Sequence, residues 1–176
     1  MKKNELIQKG LRQLPTRPIF LVSMELDGKR NIITVGMFCI FSGTPTLVGI
    51  GLKPSRYSCG LIRESREYVV NVVTEKLMKA VKICGTNSGR DSDRFNLAKL
   101  TPRKGTEVKA PHIAESPAKI ECRVVDELEI GDHIWFIGEV KAVIVDENYD
   151  WKDGLLFKWV AQDGFYYRVG DQIGKY

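Results

Sequence analysis

Three apolar segments follow one another between residues 17 and 52, and two short breakers separate them. The segments read RPIFLVSMEL, NIITVGMFCIFS and TLVGIGL, and the breakers contain DGK and GTP. Asp and Gly supply the backbone angles of a tight hairpin turn, and connections this short join antiparallel neighbours. The sequence therefore predicts three antiparallel strands in succession.

Later segments continue this pattern. YVVNVV is typical of a short buried strand, and AKIECRVVDEL alternates between apolar and polar positions, as a half-solvated strand does. Its predicted core face is Ile120, Cys122 and Val124, and its predicted solvent face is Lys119, Glu121 and Arg123. GDHIWFIGEVKAVIVD predicts a strand far longer than the usual 5 or 6 residues or so, with Gly138 placed for a bend or bulge. We therefore predict a mainly β fold, an antiparallel barrel of six or more strands with peripheral helices.

Helices are predicted at three places around the barrel. Residues 1–14 place apolar side chains on one face, which indicates a short N-terminal helical extension. Residues 55–65 are predicted as a helix with Ser55 as its N-cap. Residues 75–84 are predicted as another, with Gly85 as the left-handed residue beyond its end. The polar, glycine-containing GTNSGRDSDRF is predicted as a long loop.

Length, cysteine spacing and charge limit the function classes. The 176 residues fit a single domain, 1–176, and the four scattered cysteines and two histidines lack zinc-site spacing, so we predict reduced thiols and no metal. The start lacks a signal-peptide core, and no segment approaches the roughly 20 apolar residues of a membrane span, so we expect a cytoplasmic protein without a membrane partner. The net charge of +5 is scattered, which predicts no nucleic-acid partner and fits phosphorylated small molecules.

The segment KPSRYS concentrates anion-binding groups at a strand-to-helix turn. Lys53 and Arg56 are cationic, and Ser55, Tyr57 and Ser58 carry hydroxyls. A helix N-terminus presents unpaired N–H groups and a partial positive charge, which favour a phosphate monoester. The alternative is a solvated turn in which Ser55 only caps the helix.

The strand before this turn carries polar groups on an otherwise apolar background. Asn31 and Thr34 supply an amide and a hydroxyl, and Met37, Phe38 and Cys39 supply flat or soft surface beside them. This combination suits an aromatic heterocycle, although Met and Phe are also ordinary core residues. GIGLKPS departs from a dinucleotide-binding GxGxxG and no Walker motif occurs, so the ligand would be held by the barrel.

Taken together, these segments resemble the flavin reductase-like, FMN-binding split-barrel proteins, in particular the flavoredoxin branch, over nearly the whole chain. The resemblance rests on RPIFLVSMELDGKRNIITVGMF, KPSRYSCGLIRESREYVVNVVT, AVKICGTNSGRDSDRF, VKAPHIAESPAKIECRVVDELEIGDHIWFIGEV and YYRVGDQIG. It implies a six-stranded split barrel, a homodimer with FMN at or near the subunit interface, and redox chemistry of the bound flavin.

The resemblance also implies roles for individual residues. Flavin contact falls on Asn31, Thr34, Met37, Phe38 and Cys39; phosphate contact on Arg56 and Ser58, with Lys53, Ser55 and Tyr57 beside them; and contact with the cofactor edge or the partner subunit on Thr86, Asn87, Ser88 and Arg90. His133 of the GDH motif falls near the open face of the flavin, where it could be catalytic or could only satisfy a loop carbonyl. Gly36 and Met37 stand where these proteins usually have Ser-Trp, and Asn87 stands where histidine is common.

The sequence thus predicts an FMN-binding oxidoreductase that takes electrons from NAD(P)H or a protein donor and passes them to a small-molecule or protein acceptor. In such proteins the isoalloxazine carries the electrons, and the chain fixes, desolvates and tunes it. A non-enzymatic FMN-binding electron carrier, without a nicotinamide site, is the main alternative. A ligand sensor without redox turnover is a third.

Overall fold

The computed structural model describes residues 3–11, 13–160 and 163–173. The strands are β1 Arg17–Pro18, β2 Phe20–Leu26, β3 Lys29–Val35, β4 Phe38–Gly43, β5 Thr46–Leu52, β6 Glu67–Val72, β7 Pro102–Arg103, β8 His112–Ile113, β9 Ala118–Ile130, β10 His133–Val145, β11 Leu156–Val160 and β12 Asp163–Tyr167. The helices are α1 Lys3–Leu11, α2 Tyr57–Ser65, α3 Met78–Thr86 and α4 Arg94–Ala98, with short 3-10 turns at Glu75–Leu77 and Trp151–Asp153. The mainly β prediction is confirmed.

Seven strands form one antiparallel sheet in the order β3-β2-β6-β9-β10-β5-β4. Its two edge strands, β3 and β4, are consecutive in the chain and are joined only by Gly36 and Met37. Opposite edges can meet across two residues only if the sheet curls back on itself, and β3 indeed contacts β5. Met37 joins the β5 side, because its carbonyl accepts a 2.9 Å hydrogen bond from the Gly51 N–H. The curled sheet matches the predicted architecture, although NIITVGMFCIFS forms two strands instead of one.

β9 and β10 form a hairpin of two 13-residue strands, turning at Gly131 with φ +62°. The ladder shifts register between Ile137 and Gly138, so the bulge predicted at Gly138 is confirmed. A Cβ on Gly138 would lie 2.6 Å from Tyr68 Oη and 2.9 Å from Cys122 Cβ. The bend therefore lets the hairpin pass over a fully buried tyrosine.

Both faces of the first strands are buried, which explains their uninterrupted apolar sequence. Val22 and Ile33 belong to the core inside the curled sheet, whereas their neighbours Leu21 and Ile32 belong to a second core. Phe95 of α4 packs in this second core, together with one side of α3. The helices therefore cover the outer face of β2 and β3.

The helix boundaries correct three predictions. The N-cap of α2 is Arg56, not Ser55, and no side chain caps this helix. α3 runs through Gly85 to Thr86 and ends at Asn87 in extended conformation, so the left-handed glycine predicted there is wrong. The predicted loop contains α4, because Asp93 accepts hydrogen bonds from the Phe95 and Asn96 N–H groups and starts a helix. The predicted N-terminal helix is present over Lys3–Leu11, and residues 1, 2 and 12 lie outside the described residues.

β9 departs from the predicted alternation, because Lys119 and Glu121 are buried instead of solvated. The Glu121 carboxylate accepts hydrogen bonds from the backbone N–H groups of Thr106, Glu107 and Val108 at 2.7, 2.6 and 3.1 Å, and it contacts His112 Nε2. Burial raises the pKa of Glu121, but the backbone hydrogen bonds and the His112 contact outweigh it and lower the pKa overall. One carboxylate thus fixes the loop of residues 104–111.

No helix in the described part of the chain is long and apolar enough to cross a membrane.

Candidate functional site

The N-terminus of α2 follows β5 after the short turn of residues 53–56, and it has no side-chain cap. Arg56 at the N-cap is extended, with φ −75° and ψ 132°, and the Cys59 N–H donates to the Arg56 carbonyl at 2.9 Å. The N–H groups of Tyr57 and Ser58 precede the first intrahelical donor, so the helix itself provides no acceptor for them. Because no side chain caps α2, these N–H groups remain available to an anion.

Asn31 links the helix to β3. Its Nδ2 donates to Ser58 Oγ at 2.9 Å, and both residues are only 1% exposed. Asn31 Oδ1 is buried and has no hydrogen-bond partner among the described residues. Gly89 packs against this amide, since a Cβ there would lie 2.2 Å from Oδ1. The structure therefore brings together three segments that were predicted separately: the 31–39 strand, the KPSRYS turn and the glycine-containing loop.

Arg94 is a functional candidate that the sequence reasoning missed. It is 4% exposed, and its Nη1 and Nη2 groups donate to the carbonyls of Ile32 and Asn87. Its Nε is buried without a partner, and none of the ion pairs among the described residues involves it. Burial lowers the pKa of Arg94, the Cys84 thiol opposes this, and the charge of Arg56 lowers the pKa further. The charge of Arg56 therefore acts on the buried Arg94, and neither arginine takes part in an ion pair among the described residues.

The loop residues predicted at the cofactor edge divide into two groups. Arg90 lies over the Tyr57 ring at 6.0 Å, and the Arg90 N–H donates to Ser88 Oγ at 3.2 Å, so both residues lie beside the start of α2. Thr86 and Asn87 instead donate their side-chain hydrogen bonds to carbonyls of the last turn of α3, each at 2.9 Å. Their side chains therefore satisfy carbonyl groups at the C-terminal end of α3, and Asn87 contacts Arg94 only through its backbone carbonyl.

The predicted ring-contacting residues do not share one face. Thr34 Oγ1 donates to the Val81 carbonyl of α3 at 2.6 Å, so its hydroxyl ties β3 to that helix. Phe38 contacts Phe20 with the rings tilted by 52° and their centroids 4.7 Å apart, and it packs on the inner core. Cys39, the next residue of the strand, is exposed. Because adjacent strand residues point to opposite faces, Phe38 and Cys39 cannot both line the same pocket wall.

His133 lies at the start of β10, beside the KPSRYS turn. Its neighbour Ile134 pairs with Leu52, the last residue of β5. Asp132 bridges two of the predicted site residues, with Oδ1 2.6 Å from His133 Nδ1 and Oδ2 3.6 Å from Lys53 Nζ. The hydrogen bond to His133 is the main cause of the lowered pKa of Asp132. Apart from its place in the GDH motif, Asp132 has no separate signal in the sequence.

The residues that meet around α2 form a candidate site for an anionic ligand. Lys53, Arg56, Arg90 and Arg94 supply positive charge from three different segments, and Asn31 and Ser58 supply buried polar groups. No group of three or more metal-binding side chains occurs within residues 3–11, 13–160 and 163–173. The chemistry of this donor set is therefore anion binding.

Comparisons with known proteins agree with this reading. Residues 11–160 match the family described as flavin reductase like domain. A protein of uncharacterised function from Archaeoglobus fulgidus is 38% identical over 138 residues, 78% of each chain, and a flavin reductase of Pseudomonas putida is 29% identical over 88% of this chain and 86% of its own. The crystal structure of flavoredoxin from Methanosarcina acetivorans superposes with a TM-score of 0.82 at 30% identity, covering 91% of this chain and 88% of that one. The chain therefore belongs to the flavin reductase-like domain family.

Proposed function

We propose that the protein binds FMN non-covalently, with the phosphate at the N-terminus of α2, and acts as a flavin-dependent oxidoreductase. The observation that carries this proposal is the uncapped N-terminus of α2, which has the cationic Arg56 as its N-cap and Ser58, bonded to the buried Asn31 amide, in its first turn. A phosphate dianion at this place would accept hydrogen bonds from the uncapped helix and would be attracted by the nearby guanidinium groups of Arg56 and Arg94. The family membership of the chain supports a flavin as the phosphorylated ligand.

The residues around α2 have distinct tasks in this proposal. Arg56 and Ser58 would hold the phosphate, and Arg94, already fixed on two carbonyls, would add charge from the buried side. Asn31 holds Ser58 in place through its 2.9 Å hydrogen bond. Its unpartnered Oδ1 is a buried acceptor that suits a donor group of the ligand.

The junction between β3 and β4 is the proposed wall for the flavin ring. Thr34 and Met37 flank this junction, and Gly36 leaves open space, since nothing lies within 4 Å of a Cβ built there. When bound, FMN supplies an isoalloxazine that takes up electrons from a donor and passes them to an acceptor. The inward-facing Phe38 would support this wall from the core side.

His133 is the proposed catalytic residue at the open side, and Asp132 would hold it in one orientation. A histidine that donates from Nδ1 to a carboxylate keeps Nε2 free for a ligand. The proposed donor is NAD(P)H or a redox protein, and the proposed acceptor is a small molecule or protein. If rapid mixing with NADH or NADPH bleaches the FMN-loaded protein, the protein is a reductase; if it does not, it is an FMN-binding electron carrier.

Titration of the purified protein with FMN, followed by flavin fluorescence, tests the phosphate site. Arg56→Ala is expected to weaken FMN binding by about 1.5–3 kcal/mol, roughly tenfold to 150-fold, because a charged hydrogen bond to the phosphate is lost. The matched control is Arg63→Ala, which removes the same charge from the other end of α2, where Arg63 pairs with Glu127. If the two variants bind FMN with equal affinity, the phosphate does not bind at this turn.

The protein is also proposed to work as a homodimer. The exposed apolar side chains that support this lie on the edge strand and on the long hairpin: Ile40, Phe41, Val125, Leu128, Ile130, Val143 and Val145. Apolar surface on this scale is typical of protein contacts. Light scattering is expected to give twice the chain mass of 19.9 kDa, and a single-chain mass at micromolar concentration would refute the dimer.

The four free thiols are in keeping with our proposal of a cytoplasmic location.

A further inference from the structure

A second group of cations lines a cavity outside the site around α2. This basic pocket has a volume of about 330 Å³ and lies between the β2–β3 hairpin and the loop after β7. It is lined by Glu25, Arg30, Pro102, Arg103, Lys104, Lys109 and Pro111. Four cationic side chains therefore surround the cavity, and a single carboxylate opposes them. We propose that the basic pocket binds a phosphate group, either as the free ion or as the end of a small molecule, through Arg30, Arg103, Lys104 and Lys109.

The cations of the basic pocket are held in place by the fold. Arg103 lies in β7, opposite His112 of β8, so the chain between them is a closed loop. The buried Glu121 carboxylate fixes the middle of this loop through three backbone N–H groups, and Glu67 accepts from the Lys109 N–H at 2.7 Å. A Cβ on Gly105 would lie 2.3 Å from the Val108 carbonyl oxygen, which shows how tightly the loop turns. Because the backbone of this loop is already fixed, binding of an anion orders only the exposed side chains and not the loop itself.

Arg30 is fixed from the other side of the pocket. Its guanidinium lies 5.5 Å from the centre of the Phe95 ring and 4.0 Å from Asp93 Oδ2. Glu25 is its direct cross-strand partner in the β2–β3 ladder, which accounts for the one carboxylate in the lining. By contrast, Arg103, Lys104 and Lys109 take part in none of the side-chain ion pairs found among the described residues. Their charges are therefore available to a ligand.

The chemistry and size of the basic pocket indicate a phosphate group. Phosphate carries up to two charges and accepts the forked hydrogen bonds of arginine, and two of the four cations are arginines. The volume is at the small end of the range of about 300–1,000 Å³ for ligand pockets. It suits a free phosphate ion, or the phosphorylated end of a molecule with the rest of that molecule outside.

This pocket is separate from the proposed FMN phosphate site. Asn31, which contacts Ser58 of that site, is the next residue after Arg30 in β3, and adjacent strand residues point to opposite faces. The inference therefore does not depend on whether FMN is the ligand at α2. The phosphate could come from a free phosphate ion or from the 2′-phosphate of a nicotinamide dinucleotide, and the experiment distinguishes these sources.

Isothermal titration of protein saturated with one molar equivalent of FMN tests the basic pocket, because that amount of FMN fills the site around α2 and leaves no excess phosphate monoester to compete for the pocket. The probes are adenosine 2′,5′-bisphosphate, 5′-AMP and inorganic phosphate. Arg103→Ala/Lys104→Ala is expected to weaken phosphate binding at least about tenfold, since two charged contacts are lost. The control Lys79→Ala/Lys82→Ala removes the same charge from exposed positions of α3 and is expected to change binding less than about twofold.

Each outcome of this titration supports or overturns the proposal. Tighter binding of the bisphosphate than of 5′-AMP, lost in the Arg103/Lys104 variant, supports the pocket and assigns it to a 2′-phosphate. Binding of inorganic phosphate that is as tight as binding of the bisphosphate, and is lost in the Arg103/Lys104 variant, supports the pocket and assigns it to the free ion. No binding of any probe to the FMN-saturated wild type, or equal weakening in both variants, overturns it. A failure of the FMN proposal is visible separately, as absence of FMN binding before any phosphate probe is added.

Discussion

Gly89→Ala is a sharp test of the site, because Gly89 packs on the amide that joins β3 to α2. A Cβ at this position would lie 2.2 Å from Asn31 Oδ1 and 2.7 Å from its Cγ. Asn31 is buried, and its Nδ2 is bonded to Ser58, so a rotation of the amide away from Gly89 would break that hydrogen bond. Either the amide or the loop must therefore move.

The expected loss follows from the hydrogen bond between Asn31 and Ser58. Breaking it leaves two buried polar groups without partners, which costs about 1–3 kcal/mol. The free energy of unfolding should fall by about that amount. Because Ser58 belongs to the proposed phosphate site, the affinity for FMN should also fall, by roughly fivefold to 150-fold if the whole loss appears in binding.

The assay combines denaturant unfolding with FMN titration of the same variant. Gly60→Ala is the matched control, because Gly60 lies in α2 and nothing lies within 4 Å of a Cβ built there. That substitution should stabilise the helix by up to about 1 kcal/mol and leave FMN affinity unchanged. If Gly89→Ala has wild-type stability and wild-type FMN affinity, the contact between the loop and Asn31 has no role in the site.

Two further predictions concern the hairpin and the buried carboxylate. Gly138→Ala should lower the free energy of unfolding by about 1–3 kcal/mol, because its Cβ would overlap with the buried Tyr68. Denaturant unfolding curves measure this change. Wild-type stability of the variant would show that the bulge can accommodate a methyl group. Glu121 has a lowered pKa in the folded protein, so its contribution to stability is complete above the ordinary pKa of 4.5 and is lost as the pH falls through the lowered value. The difference in stability between the wild type and Glu121→Gln, measured by urea unfolding at a series of pH values, should therefore shrink on acidification; a constant difference would contradict the charge of this group.

The sequence predicted those parts of the fold that depend on neighbouring residues. The hairpin turn before β3 and the bulge at Gly138 arise from local backbone requirements, and both occur where they were predicted. The family was also predicted correctly, because the motifs that define it are short and ordered along the chain.

The predictions that failed depend on distant partners. The segment NIITVGMFCIFS divides at Gly36 because its two halves pair with different strands, β2 and β5. Glu121 is buried because three loop residues that lie 13 to 15 positions earlier in the chain donate their N–H groups to it. The alternation of apolar and polar residues along β9 cannot show that a loop from elsewhere in the chain covers one of its polar residues.

The site was predicted in outline but not in its buried charge. The KPSRYS turn and Asn31 do meet, but the neighbouring guanidinium of Arg94 comes from a segment that was predicted as a solvated loop. A cue existed in the sequence: Asp93 is a favoured N-cap residue type, and its carboxylate accepts from the Phe95 and Asn96 N–H groups at the start of α4. Recognising that short helix would have identified the arginine.

The proposed flavin site at the junction of β3 and β4 would couple cofactor binding to the global stability of the protein. These strands are neighbours in the chain but occupy opposite ends of the strand order, so a ligand that contacts both acts as a non-covalent crosslink between the first and last strands of the sheet. Such a ligand binds only the curled state, and it stabilises that state by mass action as its concentration rises. The melting temperature of the protein in a cell would then follow the size of its flavin pool.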